Sequence, residues 1–198
     1  MIILKFVGLD GAGKSTCCQA VARHLREDGY TVYSQHWIDG SLLGWLPSSS
    51  GNEGTISRDG INEQSDLIQA MTIVYMKFMV VLLNAVIMKV TAVILGFYFD
   101  IVLFDRCLLD DLVHLQYRGL GDGLTKLGMR LVDQEAVVYV DVDPRAALAR
   151  NHEHPDQYYY RKDTLYEKAV SDRSLRVDGH EEPAVIAAQI AEIVQRTV

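Results

Sequence analysis

The chain has 198 residues, 49% of them apolar and 23% charged, with a formal net charge of −7. That length and balance fit one α/β domain with a substantial core and exclude a disordered chain. The acidic balance, with no block of Lys and Arg, argues against a nucleic-acid polymer as partner. It leaves single nucleotides open, because backbone N–H groups and a few placed cations can hold them.

The run "IILKFVG" reads as a short buried strand entering a glycine-rich loop, "GLDGAGKST". Gly8, four residues and Gly13-Lys14-Ser15 have the spacing of a loop that wraps phosphates. Gly8, Gly11 and Gly13 permit close backbone approach, so N–H groups, those of Ala12 and Thr16 among them, converge on phosphate oxygens. Lys14 then reaches the β- and γ-phosphates and Ser15 ligates Mg²⁺, which points to ATP as donor. Residues 14–29 follow as a helix stopped at Gly29. "YTVYSQHWI" is the next strand, and a Gly/Ser/Pro-rich loop runs from Asp39 to about Asn62.

Residues 70–99 are strongly apolar. Lys77, Asn84 and Lys89 interrupt them, so no charge-free run reaches the roughly 18 residues of a spanning helix. One or two buried helices are expected there, with a second subunit covering part of the surface, and no membrane partner. "DIVLFD" is a buried strand. The stretch after it is helical at both ends and broken around Gly119–Gly123. "AVVYVDVD" is a strand, and "PRAALARN" a helix with proline in its first turn. The polar, Tyr-rich "HEHPDQYYYRKD" precedes a short helix, "TLYEKAVSD". "SLRVDG" is the last strand, and an amphipathic helix closes the chain. Alternating strands and helices predict one doubly wound domain over 1–198 with a parallel sheet.

Three cysteines, two of them adjacent on a helix, fit neither a disulfide framework nor a zinc pattern, which favours a reducing cytoplasm. A strand followed by a phosphate loop is not the pattern of a signal peptide. His152 and His154 lie too loosely placed in sequence to make a metal site the leading reading. The GTPase Asn-Lys-x-Asp pattern is absent.

"FVGLDGAGKST", "VLFDRC", "VVYVDVDPRAALAR" and "YYYRKDTLYEKA", in this order, resemble the thymidylate kinase-like P-loop kinases. The resemblance implies a five-stranded parallel sheet flanked by helices, a mobile lid at about 150–163, and phosphoryl transfer from ATP to a nucleotide or nucleoside. It implies that Asp105 organises Mg²⁺ or the acceptor, that Arg106 grips an acceptor phosphate, and that Asp10 is the loop acid. Some relatives carry Arg where Gly11 stands, so the catalytic cation is sought in the lid. Arg161 is the first candidate, with Lys162 also available and Arg150 on the ATP side. A dimer through the apolar helices of 64–99 is a further implication.

The thymidylate-specific parts are missing. "HWIDGSLLGWLPSSSG" replaces an Arg-Glu-Pro-Gly type loop, Val7 stands where many relatives have Glu, and the apolar helix offers Tyr75, Lys77 and Phe78 with no Arg. Trp37 and Asp39 are candidates for stacking on or hydrogen-bonding an acceptor. The expectation is an ATP- and Mg²⁺-dependent kinase acting on a nucleoside monophosphate. A nucleoside or other hydroxyl compound is the alternative acceptor, and a nucleotide-binding switch the rival from another class.

Overall fold

A computed structural model describes residues 1–36, 63–130, 137–171 and 174–197. Five strands form one sheet: β1 (Ile2–Val7), β2 (Val32–His36), β3 (Ile101–Asp105), β4 (Val137–Asp141) and β5 (Leu175–Asp178). Their spatial order is β2-β3-β1-β4-β5, and every neighbouring pair is parallel. The central strands are near-continuous apolar runs because helices cover both faces, so neither face can be polar. β3 is buried at all five positions, and β4 at all but its last.

The helices are α1 (Lys14–Glu27), α2 (Glu63–Leu95), α3 (Leu108–Tyr117), α4 (Asp122–Met129), α5 (Pro144–Arg150), α6 (Asp156–Ala169) and α7 (Pro183–Thr197). α1 ends with Gly29 in the left-handed region, φ +92°, as its position in sequence predicts. Asp143 caps α5 by accepting from the Arg145 and Ala146 amides at 2.9 and 3.1 Å, and Pro144 takes the first turn.

One expectation is resolved and another changes. The apolar region, expected as one or two helices, is a single 33-residue helix. The Tyr-rich segment is not a loop leading to a short helix; from Asp156 it already belongs to the 14-residue α6. The reason is a helical stripe: Tyr158, Lys162 and Tyr166, four residues apart, are all buried. Pro155 sits at the N-cap and Asp156 in the first turn, where a negative charge favours helix.

α2 is a core helix on one face. Phe78, Val81, Ala85, Met88 and Ala92 lie at helical spacing and are buried in the core. Its Met71–Leu95 portion is long and apolar enough to cross a membrane by length and composition, with a third of it buried in the domain. The opposite face is apolar too. Met76, Met79, Leu83, Val86, Val90 and Val93 alternate steps of three and four residues and are 51–64% exposed. That is the spacing of a coiled-coil seam.

Candidate active site

The site lies at the carboxyl edge of the sheet, where open α/β sheets bind ligands. There β1 runs into the phosphate loop. Gly8 and Gly11 have φ of +146° and +89°. A Cβ would stand 2.6 Å from the Val140 carbonyl oxygen at the first and 2.5 Å from that of Ala147 at the second. The loop is therefore wedged against β4 and α5, and no Arg fits at position 11. A side-chain cation over this part of the loop must come from another element.

The Lys14 ammonium is buried and donates to the Gly8 and Leu9 carbonyls at 2.9 and 2.7 Å. Burial is the main cause holding it below the ordinary lysine range. Ser15 and Thr16, next on α1, are exposed at the loop mouth.

Asp10 gathers the site's charges. Its carboxylate accepts from Arg106 Nη2 at 2.9 Å, from the Tyr158 hydroxyl at 2.8 Å and from Lys162 Nζ at 3.4 Å, and Lys14 Nζ stands 4.0 Å away. Burial alone would raise the Asp10 carboxyl; Lys162, Lys14 and Arg106 outweigh it and hold the group well below the usual carboxylate range. Arg106 reaches Asp10 from a backbone at φ +76°, the only described non-glycine residue with positive φ. Strain of that kind costs about 1–3 kcal/mol and collects at functional sites. Burial works against its charge, but Asp110 and Asp10 raise the guanidinium above its ordinary range.

A second carboxylate, Asp110, binds α3 to its surroundings. It takes the Cys107 amide at 3.1 Å in a capping box, and it accepts from Tyr166 of α6 at 2.5 Å. One stripe of α6 thus holds both acids: Tyr158 and Lys162 on Asp10, Tyr166 on Asp110. Between α3, α6 and the loop lies a 310 Å³ cleft whose lining includes Asp10, Arg106, Asp111, His114, Tyr158 and Lys162. Burial, reinforced by Asp110, pushes the Asp111 carboxyl up to about 7. Burial, with Lys162, Arg118 and Lys77 nearby, pushes His114 down to about 4.

Asp105 and Arg106 do not act as one unit. Arg106 turns toward α3 and α6, whereas Asp105 faces α1 and β2. Burial, with Asp105 the next contributor, pushes the Cys18 thiol of α1 up to about 12, which places that carboxylate on the α1 side. Ser15 lies three residues before Cys18, on the same face of the helix. Asp105 is buried, its Oδ2 is 3.8 Å from His36 Nε2, and its Oδ1 has no hydrogen-bond partner among the described residues. An orphaned buried carboxylate oxygen on the side of α1 that carries the Ser15 hydroxyl has the donor chemistry of a Mg²⁺ ligand, since that hard cation takes oxygen ligands.

The other expected residues are dispersed. Arg161 is exposed, its guanidinium 5.1 Å over the Tyr117 ring and outside the cleft lining, while its neighbour Lys162 points inward. Arg150 Nη1 donates to the Gly179 carbonyl at 3.2 Å, and Gly179 packs against Ala12 of the phosphate loop. His154 lies against Tyr158, the ring centroids 4.0 Å apart and the planes tilted by 35°. Phe78 is core, Tyr75 is exposed, and Lys77 is near enough to His114 to depress it. Trp37 and Asp39 lie outside the described residues. A separate apolar cavity of 280 Å³ beneath α2 is lined by Ile3, Lys5, Met88 and Phe104 among others, and shares only Cys107 with the charged cleft.

No protein-family model matches the chain, and no curated protein does. Among solved structures it is similar to a deoxyadenosine kinase from M. mycoides, described with products dCMP and a flexible dCDP bound. The match has 15% identity, covers all of both chains and gives a TM-score of 0.56. The five-stranded parallel sheet in the order 2-3-1-4-5, flanked by helices, is the P-loop kinase fold.

Proposed function

We propose that this protein is a cytoplasmic kinase that transfers the γ-phosphate of ATP to a nucleoside monophosphate. The observation that carries the reading is the convergence of Lys14, Arg106 and Lys162 within 4.0 Å of Asp10, beside a phosphate loop. Three cations around one acid are poised to exchange that acid for phosphate oxygens.

In this mechanism the loop amides and the N-terminus of α1 hold the ATP phosphates, and Lys14 leaves the Gly8 and Leu9 carbonyls for the β- and γ-oxygens. Ser15 and Asp105 would hold Mg²⁺, and the ion would supply neutralisation of phosphate charge. Arg150, beside Gly179, borders the donor's base. Lys162 takes the role first assigned to Arg161, covering the transferring phosphate from α6, and Arg106 holds the acceptor's phosphate. Residues 150–163 act as a lid that excludes water; without exclusion the site would hydrolyse ATP. Asp111 and His114 face the acceptor and read its polar edge.

A nucleoside acceptor is the second reading. Asp110, Asp111 and Glu153 in the cleft wall favour it, since carboxylates repel an acceptor phosphate and suit a hydroxyl or amine. The buried, free thiols of Cys17, Cys18 and Cys107 suit a reducing compartment. The exposed seam of α2 supports a homodimer, because an apolar face of that length marks an interaction surface.

The test is steady-state kinetics of Arg106→Ala once a panel of nucleosides and monophosphates has identified the acceptor. The acceptor's kcat/KM falls at least tenfold with little change in ATP affinity. An unchanged kcat/KM would remove Arg106 from the site.

A further inference from the structure

His36 is a residue the kinase reading leaves without a task, and it stands beside the one acid with an orphaned buried oxygen among the described residues. In the parallel pairing of β2 with β3, His36 and Asp105 are register partners at the last position of both strands. Register partners in a sheet put their side chains on the same face. Here that is the α1 face, at the sheet edge where the phosphate loop opens. The imidazole Nε2 lies 3.8 Å from Asp105 Oδ2. The Asp105 side chain is only 10% exposed, and its Oδ1 is buried without a hydrogen-bond partner among the described residues. The imidazole therefore stands beside one oxygen of the carboxylate, and the other has no hydrogen-bond partner among the described residues.

We infer that His36 is a positioning residue: it fixes the rotamer of Asp105 so that Oδ1 is presented to the divalent cation held with Ser15. The inference rests on the reading of Asp105 as a cation ligand. A carboxylate at a strand end, free to rotate about two χ angles, would otherwise sample several orientations, only some of them facing the loop mouth. Residues that orient a metal ligand from behind typically govern metal affinity by about 10–100-fold. The same logic explains why Asp105 does not pair with Arg106. β3 ends at Asp105 and Arg106 turns out of the strand at φ +76°, leaving Arg106 to Asp10 and Asp105 to a neighbour on β2.

Mn²⁺ binding is the test. The full-length protein is saturated with a non-hydrolysable ATP analogue and titrated with Mn²⁺, with free Mn²⁺ followed by electron paramagnetic resonance. His36→Phe, which keeps a ring but no N–H, weakens Mn²⁺ binding about tenfold or more, while affinity for the analogue without metal is unchanged. His36→Gln, which keeps a donor, recovers most of the loss, a rescue that a merely structural role would not give. Wild-type Mn²⁺ affinity in His36→Phe overturns the inference, as does equal loss in both variants. Asp105→Asn separates it from the reading beneath. A loss there with none in His36→Phe overturns only the positioning role, whereas no loss in Asp105→Asn overturns Asp105 as a ligand and the inference with it.

Discussion

Replacing Asp10 by Asn tests whether that acid stands in for phosphate. The change keeps size and an acceptor oxygen for Tyr158 but removes the charge that faces three cations. Two of those, Lys14 and Lys162, have side chains only 5% exposed, and the third, Arg106, is bonded at 2.9 Å. Removing one partner of a buried ion pair costs about 3–5 kcal/mol, because the remaining charge is left uncompensated. Taking the low end, since Asn retains hydrogen bonds, about 3 kcal/mol corresponds to a Tm loss of roughly 6–12 °C for a chain of this size. Metal-free ATP, in excess EDTA, replaces the lost negative charge, so it raises the Tm of Asp10→Asn more than that of wild type and narrows the gap. pH offers a second handle. The Asp10 carboxyl is held below its unfolded value, so its stabilisation is complete above about pH 4 and is lost as pH falls through the folded value. The two Tm curves converge in acid. Differential scanning calorimetry with and without ATP measures all of this. A variant as stable as wild type without nucleotide, or equal ATP-induced shifts, would refute the reasoning.

Other outcomes are equally specific. Lys14→Met leaves the fold intact but weakens binding of a fluorescent ATP analogue about 100-fold or more, since it removes the cation that phosphate oxygens meet in a dry site. Asp111 has a folded pKa raised to about 7, so the folded state binds its proton more tightly and stability falls as pH rises from about 4 to 7. Asp111→Asn therefore raises the Tm more at pH 8 than at pH 4, and an equal gain at both would show that the carboxyl does not titrate as described. Val86→Asp puts a charge in the middle of the α2 seam proposed as a dimer interface, and the mass measured by light scattering falls from that of a dimer to that of a monomer; an unchanged mass excludes that face as the interface.

Much of the architecture is legible in the residues. Apolar runs bounded by Gly and charged residues locate β1, β3 and β4, shorter mixed segments mark β2 and β5, and the Gly8–Ser15 spacing locates the loop. Less legible is which of two neighbouring residues faces the site. Arg161 is the stronger phosphate binder by type, but Lys162 shares a helical face with Tyr158 and Tyr166, and that face is what packs against Asp10 and Asp110. Reading 152–163 as a loop hides the stripe. Asp105 and Arg106 look like one pair because they are adjacent, yet β3 ends between them and the positive φ of Arg106 turns its side chain away. Asp110 and Asp111 read as ordinary first-turn acids until tertiary packing brings α6 over them. His36 carries no local signal: its meaning comes from the β2–β3 register, which joins residues far apart in the chain.

The fate of the γ-phosphorus tests the central claim most directly. The protein is incubated with γ-labelled ATP, Mg²⁺ and each nucleoside or nucleoside monophosphate in turn, and the label is followed to its product. The account predicts that label passes to one class of acceptor, with ADP formed in equal amount and little release as inorganic phosphate. Label appearing as inorganic phosphate at the same rate with every compound, or no turnover with any, would contradict it.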